Sequence, residues 1–429
     1  MQTEDIYFTD KRRVIAWIAY DFANSSFVTV IITAFYVLYF KAVVVGGESG
    51  LGDFYWGLAT SLSALILAVN APFLGALADK GGAKKRLLVT FALFCVVSTA
   101  LLWLVPPGAV FWGAAIFIVA NIGFEAANIF YNALLPYIAP REKLGRISGF
   151  GWAFGYFGGI GCLLLALPLA KDGFGSENIE TARLIFPMVA IFFLLSAIPS
   201  FLWLPEPSGT ALTSGLIENF SESWKEVFNT SKRLPKNKNL SLFLLAYFFY
   251  EDGITTIIKF SSAFAVASLG FSVSESIQLL IVINLTAAAG AFAFGFVADK
   301  IGAKKSIIIT LIIWLAVVLA AFLVTSKGGF WIIANLAGIS LGSSQSLSRT
   351  LMAKLAPKER TGEYFGFMAI CGRFSAIIGP LLFGAVSFIA QSQRPAVLAI
   401  AMLFAVGLAL ILKVKEPTYS ESQFESQVR

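Results

Sequence analysis

The segment Gly75-Ala-Leu-Ala-Asp79-Lys80-Gly-Gly82-Ala-Lys84-Lys85 returns as Gly295-Phe-Val-Ala-Asp299-Lys300-Ile-Gly302-Ala-Lys304-Lys305, and each copy lies between two long apolar runs. Each begins where an apolar run ends, turns on glycines that accept backbone angles other residues avoid, and then presents lysines that cross a bilayer only at high cost. Such a segment is a short loop held on one membrane face. The chain is therefore expected to be a duplicated membrane protein. With 58% hydrophobic and 13% charged residues, it has too little polar surface to coat a soluble globule of 429 residues. The formal charge of +7 does not point to nucleic acid. A nucleic-acid binder gathers its basic residues on one face or stripe, whereas here they are divided among loops between apolar runs.

Cys95, Cys162 and Cys371 fall inside apolar runs without paired or metal-ligand spacing, and the chain has no histidine. Disulfide frameworks, metal sites and histidine-based catalysis are unsupported. No nucleophile–base pair or phosphate loop suggests an enzyme, and no cofactor is expected. Residues 1–13 are polar and carry both charge signs. The first apolar run exceeds a signal peptide's core and lacks a clear small-residue cleavage site, which makes it a retained first helix.

A bilayer core takes about 20 apolar residues per helix, and windows of that kind lie near residues 14–40, 55–78, 87–105, 110–135, 147–170, 184–204, 241–269, 276–298, 306–325, 330–352, 364–390 and 395–412. With the N-terminus in the cytoplasm, the lysines and arginines of 11–13, 80–86, 141–146, 300–305 and 354–360 fall inside. The opposite loops hold Lys41, Lys171, Arg183, Lys327 and Arg394. Both termini are expected in the cytoplasm. The repetition extends further: Ala139-Pro-Arg-Glu-Lys143 matches Ala356-Pro-Lys-Glu-Arg360, and Glu206-Pro207 is echoed by Glu416-Pro417. The expected fold is an all-α polytopic membrane protein of twelve helices in two six-helix halves, 1–204 and 241–413, with a cytoplasmic tail at 414–429. The linker, 205–240, is polar, yet Leu216, Ile217, Phe220, Trp224, Val227 and Phe228 recur at helical spacing, as in an amphipathic helix on the inner membrane surface. The serine- and glutamate-rich tail from Thr418 has a disordered composition.

Charge inside a membrane helix costs on the order of 3 kcal/mol, so each instance needs a partner or a water-filled cavity. The first predicted helix has Asp21, Asn24 and Ser25 on one face, and the fourth has a stripe of Asn121, Glu125, Asn128 and Asn132. The seventh has Glu251, Asp252 and Lys259, the tenth Asn335, Gln345 and Arg349, and the eleventh Arg373. A polar stripe through an apolar helix faces water or substrate rather than lipid. At 1.5 Å per residue, Asp21, Glu125, Glu251, Asp252 and Arg373 lie roughly 10 to 17 Å from the cytoplasmic ends of their spans, a shared depth that permits one network. These charges are either structural pairs that lock the bundle or a proton-coupling site. Four acids face Lys259, Arg349 and Arg373, which leaves a carboxylate without an obvious partner. Asp21 and Glu125 lead as proton carriers because their own helices hold no basic residue. Arg373 reads as structural, on a helix peripheral to the cavity, and Arg349 as able to snorkel to the inner interface.

The spacing Gly-x-x-x-Asp-Lys-x-Gly-x-Lys-Lys resembles the loop signature between the second and third helices of each half of major facilitator superfamily transporters. The resemblance implies that the first, fourth, seventh and tenth helices line a central cavity. It also implies that Asp79 with Lys80 and Asp299 with Lys300 are gate residues, the first aspartate reaching the eleventh helix and the second the fifth. A helix cap and topology anchor remains an alternative role for the two aspartates. Ala16-Trp17-Ile-Ala-Tyr20-Asp21-Phe22-Ala23-Asn24-Ser25-Ser-Phe27, Phe130-Tyr131-Asn132-Ala-Leu-Leu135-Pro136 and Ser148-Gly-Phe-Gly151-Trp152-Ala-Phe-Gly155-Tyr156 resemble the autophagy-related vacuolar amino-acid effluxer family and its bacterial relatives. The expected function is secondary active transport by alternating access, with a proton as coupling ion and a small polar metabolite as substrate, amino acids being the class the resemblance implies. A multidrug exporter is one rival, although the fifth helix lacks the Gly-Pro element typical of proton-driven drug antiporters. A non-transporting receptor or assembly protein is the other. Short loops suggest the inner (plasma) membrane of a bacterium, and the expected partners are the bilayer and a small molecule, with the protein as a monomer.

Overall fold

The computed structural model describes residues 10–46, 50–170, 178–207, 224–225, 227–232, 234 and 237–417. Helix α1 runs Lys11–Val44, α2 Leu51–Gly81, α3 Lys84–Leu104, α4 Val110–Ile138, α5 Leu144–Ala166 and α6 Ile185–Trp203. The second half repeats this with α7 Lys238–Leu269, α8 Val273–Ile301, α9 Ala303–Leu323, α10 Lys327–Leu355, α11 Thr361–Ala390 and α12 Gln393–Lys413. Among the described residues, eleven helical stretches are long and apolar enough to cross a membrane, and α10 falls short of that apolarity despite its 29 residues. The reason is its C-terminal half, where Ser340, Ser343, Ser344, Gln345, Ser346, Ser348, Arg349 and Thr350 turn into the bundle. Leucine and isoleucine side chains such as Leu164, Leu195, Leu202, Ile332 and Leu381 stand exposed along the helices. They form the lipid-facing surface of a molecule whose solvent is hydrocarbon.

The turn glycines of the repeated motif do what their positions demand. Gly82 ends α2 at φ +56° and Gly302 ends α8 at φ +97°, the left-handed region where a side chain is strained. The two halves meet along α2 against α11 and α5 against α8. At the first of these seams, Gly75 and Gly362 face each other so closely that a Cβ on either would strike the other's carbonyl oxygen.

Glu206, after α6, accepts from the amides of Lys85 (2.8 Å) and Arg86 (3.0 Å), and Glu416, after α12, from those of Ala303 (3.0 Å) and Lys304 (2.8 Å). The echoed Glu-Pro pairs thus cap the third helix of each half, satisfying amides that have no partner in their own helix. Both chain ends of the described bundle and both repeated loops therefore lie at one end of the molecule, the loop end. In the linker, Trp224, Val227 and Phe228 are helical, while Leu216, Ile217 and Phe220 lie outside the described residues, as does the tail from Thr418. Trp224 stacks on Phe73 of α2 at 5.1 Å, and Arg360, just before α11, donates to the buried Thr230. The described part of the linker therefore rests on the α2–α11 seam.

Candidate functional site

A cavity of about 1000 Å³ lies between the halves. It reaches from Asp21 and Arg349 toward Phe117, Leu279 and Phe330 near the ends of α4, α8 and α10 remote from the loops. Asp21, Asn24, Glu125, Asn128, Asn132, Glu251, Lys259, Gln345, Arg349 and Arg373 all line it. The amides cross-link their helices: Asn24 donates to Asn128 (2.8 Å), and Asn121 donates to Ser63 of α2 (2.8 Å). Asp252 is not in the wall. It is fully buried and turned to α11, where it accepts from the Gly379 amide at 2.8 Å. One residue along a helix rotates a side chain by about 100°, so adjacent Glu251 and Asp252 cannot share a face.

Arg349 is only 4% exposed and does not snorkel. It donates to Asp21 Oδ2 (2.9 Å), Ser148 Oγ (2.9 Å), the Ser148 carbonyl (2.8 Å) and Asn132 Oδ1 (3.4 Å). Its guanidinium also sits over the rings of Trp17 (4.5 Å), Tyr131 (5.5 Å) and Trp152 (5.6 Å). A cation is held this way where planar donors meet a carboxylate and ring faces exclude water. Trp17 is fixed in turn by its indole N–H on the Tyr131 carbonyl (3.1 Å) and by stacking on the Tyr131 ring at 4.5 Å. The aromatic residues of the three quoted segments therefore build the cage around this arginine. That role was missed because no spacing rule relates residues on α1, α4, α5 and α10.

Arg373 is not peripheral: it lines the cavity and pairs with Glu125. Both ion pairs cross the divide, each joining an acid of the first half to an arginine of the second. Neither of the two acids picked for having no base on its own helix is therefore uncompensated. Glu251 is different. Its two oxygens accept from the Gln345 amide nitrogen of the same half (2.9 and 3.0 Å), and among the described residues no lysine or arginine pairs with it. Sequence reading also missed the wide turns of α1. The Phe35 amide reaches back five residues to the Val30 carbonyl (2.7 Å), and the loosened stretch presents Val28, Thr29, Ile32 and Thr33 to the cavity, a distortion common at functional sites.

The loop end is closed. Asp79 accepts from the amides of Gly362 (3.0 Å) and Glu363 (2.8 Å) at the start of α11, and Asp299 from those of Gly145 (3.0 Å) and Arg146 (3.3 Å) at the start of α5. Each carboxylate thus sits at the positive end of a helix in the opposite half. Their cations are not the adjacent lysines. Lys84 pairs with Asp79 at 2.6 Å, and Arg146 with Asp299 at 2.5 Å, while Lys300 points outward. A residue that follows the aspartate on the same helix is rotated off its face, whereas Lys84 starts the next helix. Tyr137 completes the closure by donating to the Lys358 carbonyl (2.6 Å), as does Thr361 by donating to that of Ala133 (3.0 Å).

Comparisons with known proteins agree in kind. The family described as vacuole effluxer Atg22 like matches residues 55–419. The chain is 31% identical over 412 residues to the uncharacterized MFS-type transporter YxiO of Bacillus subtilis (strain 168), covering 95% of each. It is 23% identical over 453 residues to autophagy-related protein 22 of Yarrowia lipolytica, covering 84% of this chain and 76% of the other. Among solved structures it is similar to the proton:xylose symporter XylE, a major facilitator superfamily protein, with a TM-score of 0.75 and 16% identity over 97% of this chain and 98% of that one. At that identity the last likeness bears on the fold alone.

Proposed function

The chain belongs to the Atg22-like effluxer family of the major facilitator superfamily, and on that premise we propose that it is a proton-coupled secondary transporter of small polar metabolites, amino acids foremost, working by alternating access. One observation carries this reading: every ion pair and cap that closes the loop end joins one half to the other, or sits at a seam that does. Opening that end therefore requires a defined set of contacts to break together, as a two-state element must. In this reading Asp79 and Asp299 are the gate, the loop end faces the cytoplasm of a bacterial plasma membrane, and the described state is outward-open. The cavity carboxylates Asp21, Glu125 and Glu251 supply the groups among which a proton is carried, because a charge held in a membrane cavity at this cost is retained for a pathway or a relay. The family description favours export.

The test is transport in liposomes. Purified protein is reconstituted with each of the twenty common amino acids inside or outside, a pH gradient is imposed, and accumulation is followed with and without a protonophore. Accumulation should collapse with the protonophore, and at least one of Asp21→Asn, Glu125→Gln and Glu251→Gln should retain exchange while losing accumulation. Gradient-independent transport in the wild type would remove the proton from the mechanism.

A further inference from the structure

The two arginines of the cavity are not equivalent, and the difference assigns a binding site. Arg349 is saturated by a carboxylate, an amide, a hydroxyl, a carbonyl and three rings. The Arg373 side chain is 36% exposed, it lines the cavity, and among the described residues its polar side-chain contact is Glu125, so most of its five N–H donors are available to a ligand. Glu251 lies on the neighbouring helix of the same half. Tyr247, one turn before Glu251 on the same face, reaches α11 next to Arg373: a Cβ on Gly372 would stand 3.2 Å from its hydroxyl. Four residues of helix rise about 6 Å. A carboxylate with no cationic partner among the described residues and an under-used guanidinium therefore face one part of the cavity from adjacent helices, placed so that a small zwitterion can bridge them with a hydrogen bond at each end.

We propose that Arg373 is a carboxylate-binding switch: it exchanges Glu125 for the carboxylate of a zwitterionic substrate, whose ammonium is taken by Glu251 with Gln345. This deepens the transport reading above and rests on it. Because Glu125 belongs to the first half and Arg373 to the second, the exchange removes one of the two cavity ion pairs that tie the halves together, so occupancy loosens the closed end. Glu125, left without its cation, takes up one proton relayed from the bulk solution through the cavity, so that one zwitterion and one proton occupy the cavity together. The other charged groups that face Glu125 across the cavity are Asp21 of α1, Arg349 of α10, and Glu251 and Lys259 of α7, while α2, α3 and α5 contribute no charged side chain to the wall. Arg349 is committed to Asp21, and so no second arginine stands ready to replace Arg373.

Binding to the purified full chain decides this. The twenty common amino acids are screened by thermal shift. The best binder is then compared by calorimetry with two analogues, its amide, which lacks the carboxylate, and the corresponding carboxylic acid without the amine. The parent should bind at least about tenfold more tightly than either, the worth of one charge-assisted contact. Glu251→Gln should erase the preference for the parent over the amine-free acid, and Arg373→Gln the preference over the amide. Glu125→Gln should tighten binding, because it removes the competitor for Arg373, and should weaken the pH dependence of binding between 5 and 8. Arg373→Lys, which keeps a cation, guards against misfolding and should bind with intermediate affinity. Equal binding of parent and analogues, or weaker binding in Glu125→Gln, overturns the switch. If the wild type moves other solutes under a pH gradient while no amino acid binds, the switch falls and the transporter stands. If nothing is moved under any gradient, the transporter reading itself falls.

Discussion

Asp79→Asn tests whether the aspartates of the repeated loops set the balance between closed and open loop ends. Asparagine keeps the size but offers one acceptor where Asp79 offers two, and these serve the amides of Gly362 and Glu363. The loss is one hydrogen bond to a charged acceptor and the charge–dipole term, together about 2 kcal/mol. The ion pair with Lys84 does not enter the balance. Both partners belong to the first half, so the pair persists whichever end is open and its loss lowers stability in both states. The closed-to-open ratio should therefore fall about thirtyfold. Asp299→Asn removes the equivalent amide contacts with Gly145 and Arg146 and also an ion pair that does cross the halves. The Arg146 side chain is 38% exposed, so solvent screening limits that extra term to less than about 1 kcal/mol. Spin labels at the exposed positions Lys143 and Glu359, which flank the two seams, report the opening by double electron–electron resonance. Cys371 is replaced, and the buried Cys95 and Cys162 are left. The long-distance population should rise in both variants and more in Asp299→Asn. An unchanged distribution, or a larger shift in Asp79→Asn, would refute the assignment of which contacts are state-specific.

Gly75→Ala should open the same end with Asp79 intact, since the new Cβ strikes the backbone of Gly362 and Glu363. The same labels would show it, and an undisturbed closed state would contradict the seam. Asp21→Asn should cost about 3 kcal/mol of stability, because it strips the buried Arg349 of the carboxylate it pairs with. Glu125→Gln should cost far less, because Arg373 can turn to cavity water, and the order of the two melting temperatures checks the contrast. Glu416→Gln should destabilise more than Glu206→Gln: each loses a helix cap worth about 1 kcal/mol, but Glu416 pairs with the half-buried Lys354 at 2.9 Å, whereas the partner of Glu206 is the exposed Arg86 at 3.8 Å, where solvent screens the pair. Equal losses in thermal unfolding would argue against that difference.

The architecture was legible because a bilayer imposes it. Runs of apolar residues must be helices, and a loop repeated with its lysines must return to the same face. The polar stripe from Asn121 to Asn132 was legible too, since a 3.6-residue period selects one side of a helix without knowledge of its neighbours. Partnership was not. That Asp21 meets Arg349 and Glu125 meets Arg373 depends on how two halves pack, and residues hundreds of positions apart leave no local pattern. Asp252 shows the same limit from the other side. Next to Glu251 it looked like a second cavity acid, but the helix turned it against Gly379. The polarity of α10 was visible as weak hydropathy, yet only packing shows that its serines face protein rather than lipid.

The two aspartate contacts at the loop end also show how two copies diverge while keeping one geometry. Aligned on Ala139 and Ala356, the position that holds Arg146 in the first half holds Glu363 in the second. Asp299 therefore meets a helix start that brings its own cation, whereas Asp79 meets one that brings an acid. Two carboxylates at one buried helix end repel each other, so a positive group must come from elsewhere. Lys84 supplies it with a side chain 2% exposed. Its counterpart in the other loop, Lys304, is released from that duty and donates to the Leu412 carbonyl at 2.8 Å. Arg360 meanwhile pairs with Glu363, so the acid is neutralised inside its own half. The closing charge pair thus crosses the seam at Asp299 but stays within one half at Asp79, and for that reason equal substitutions at the two aspartates should not have equal effects.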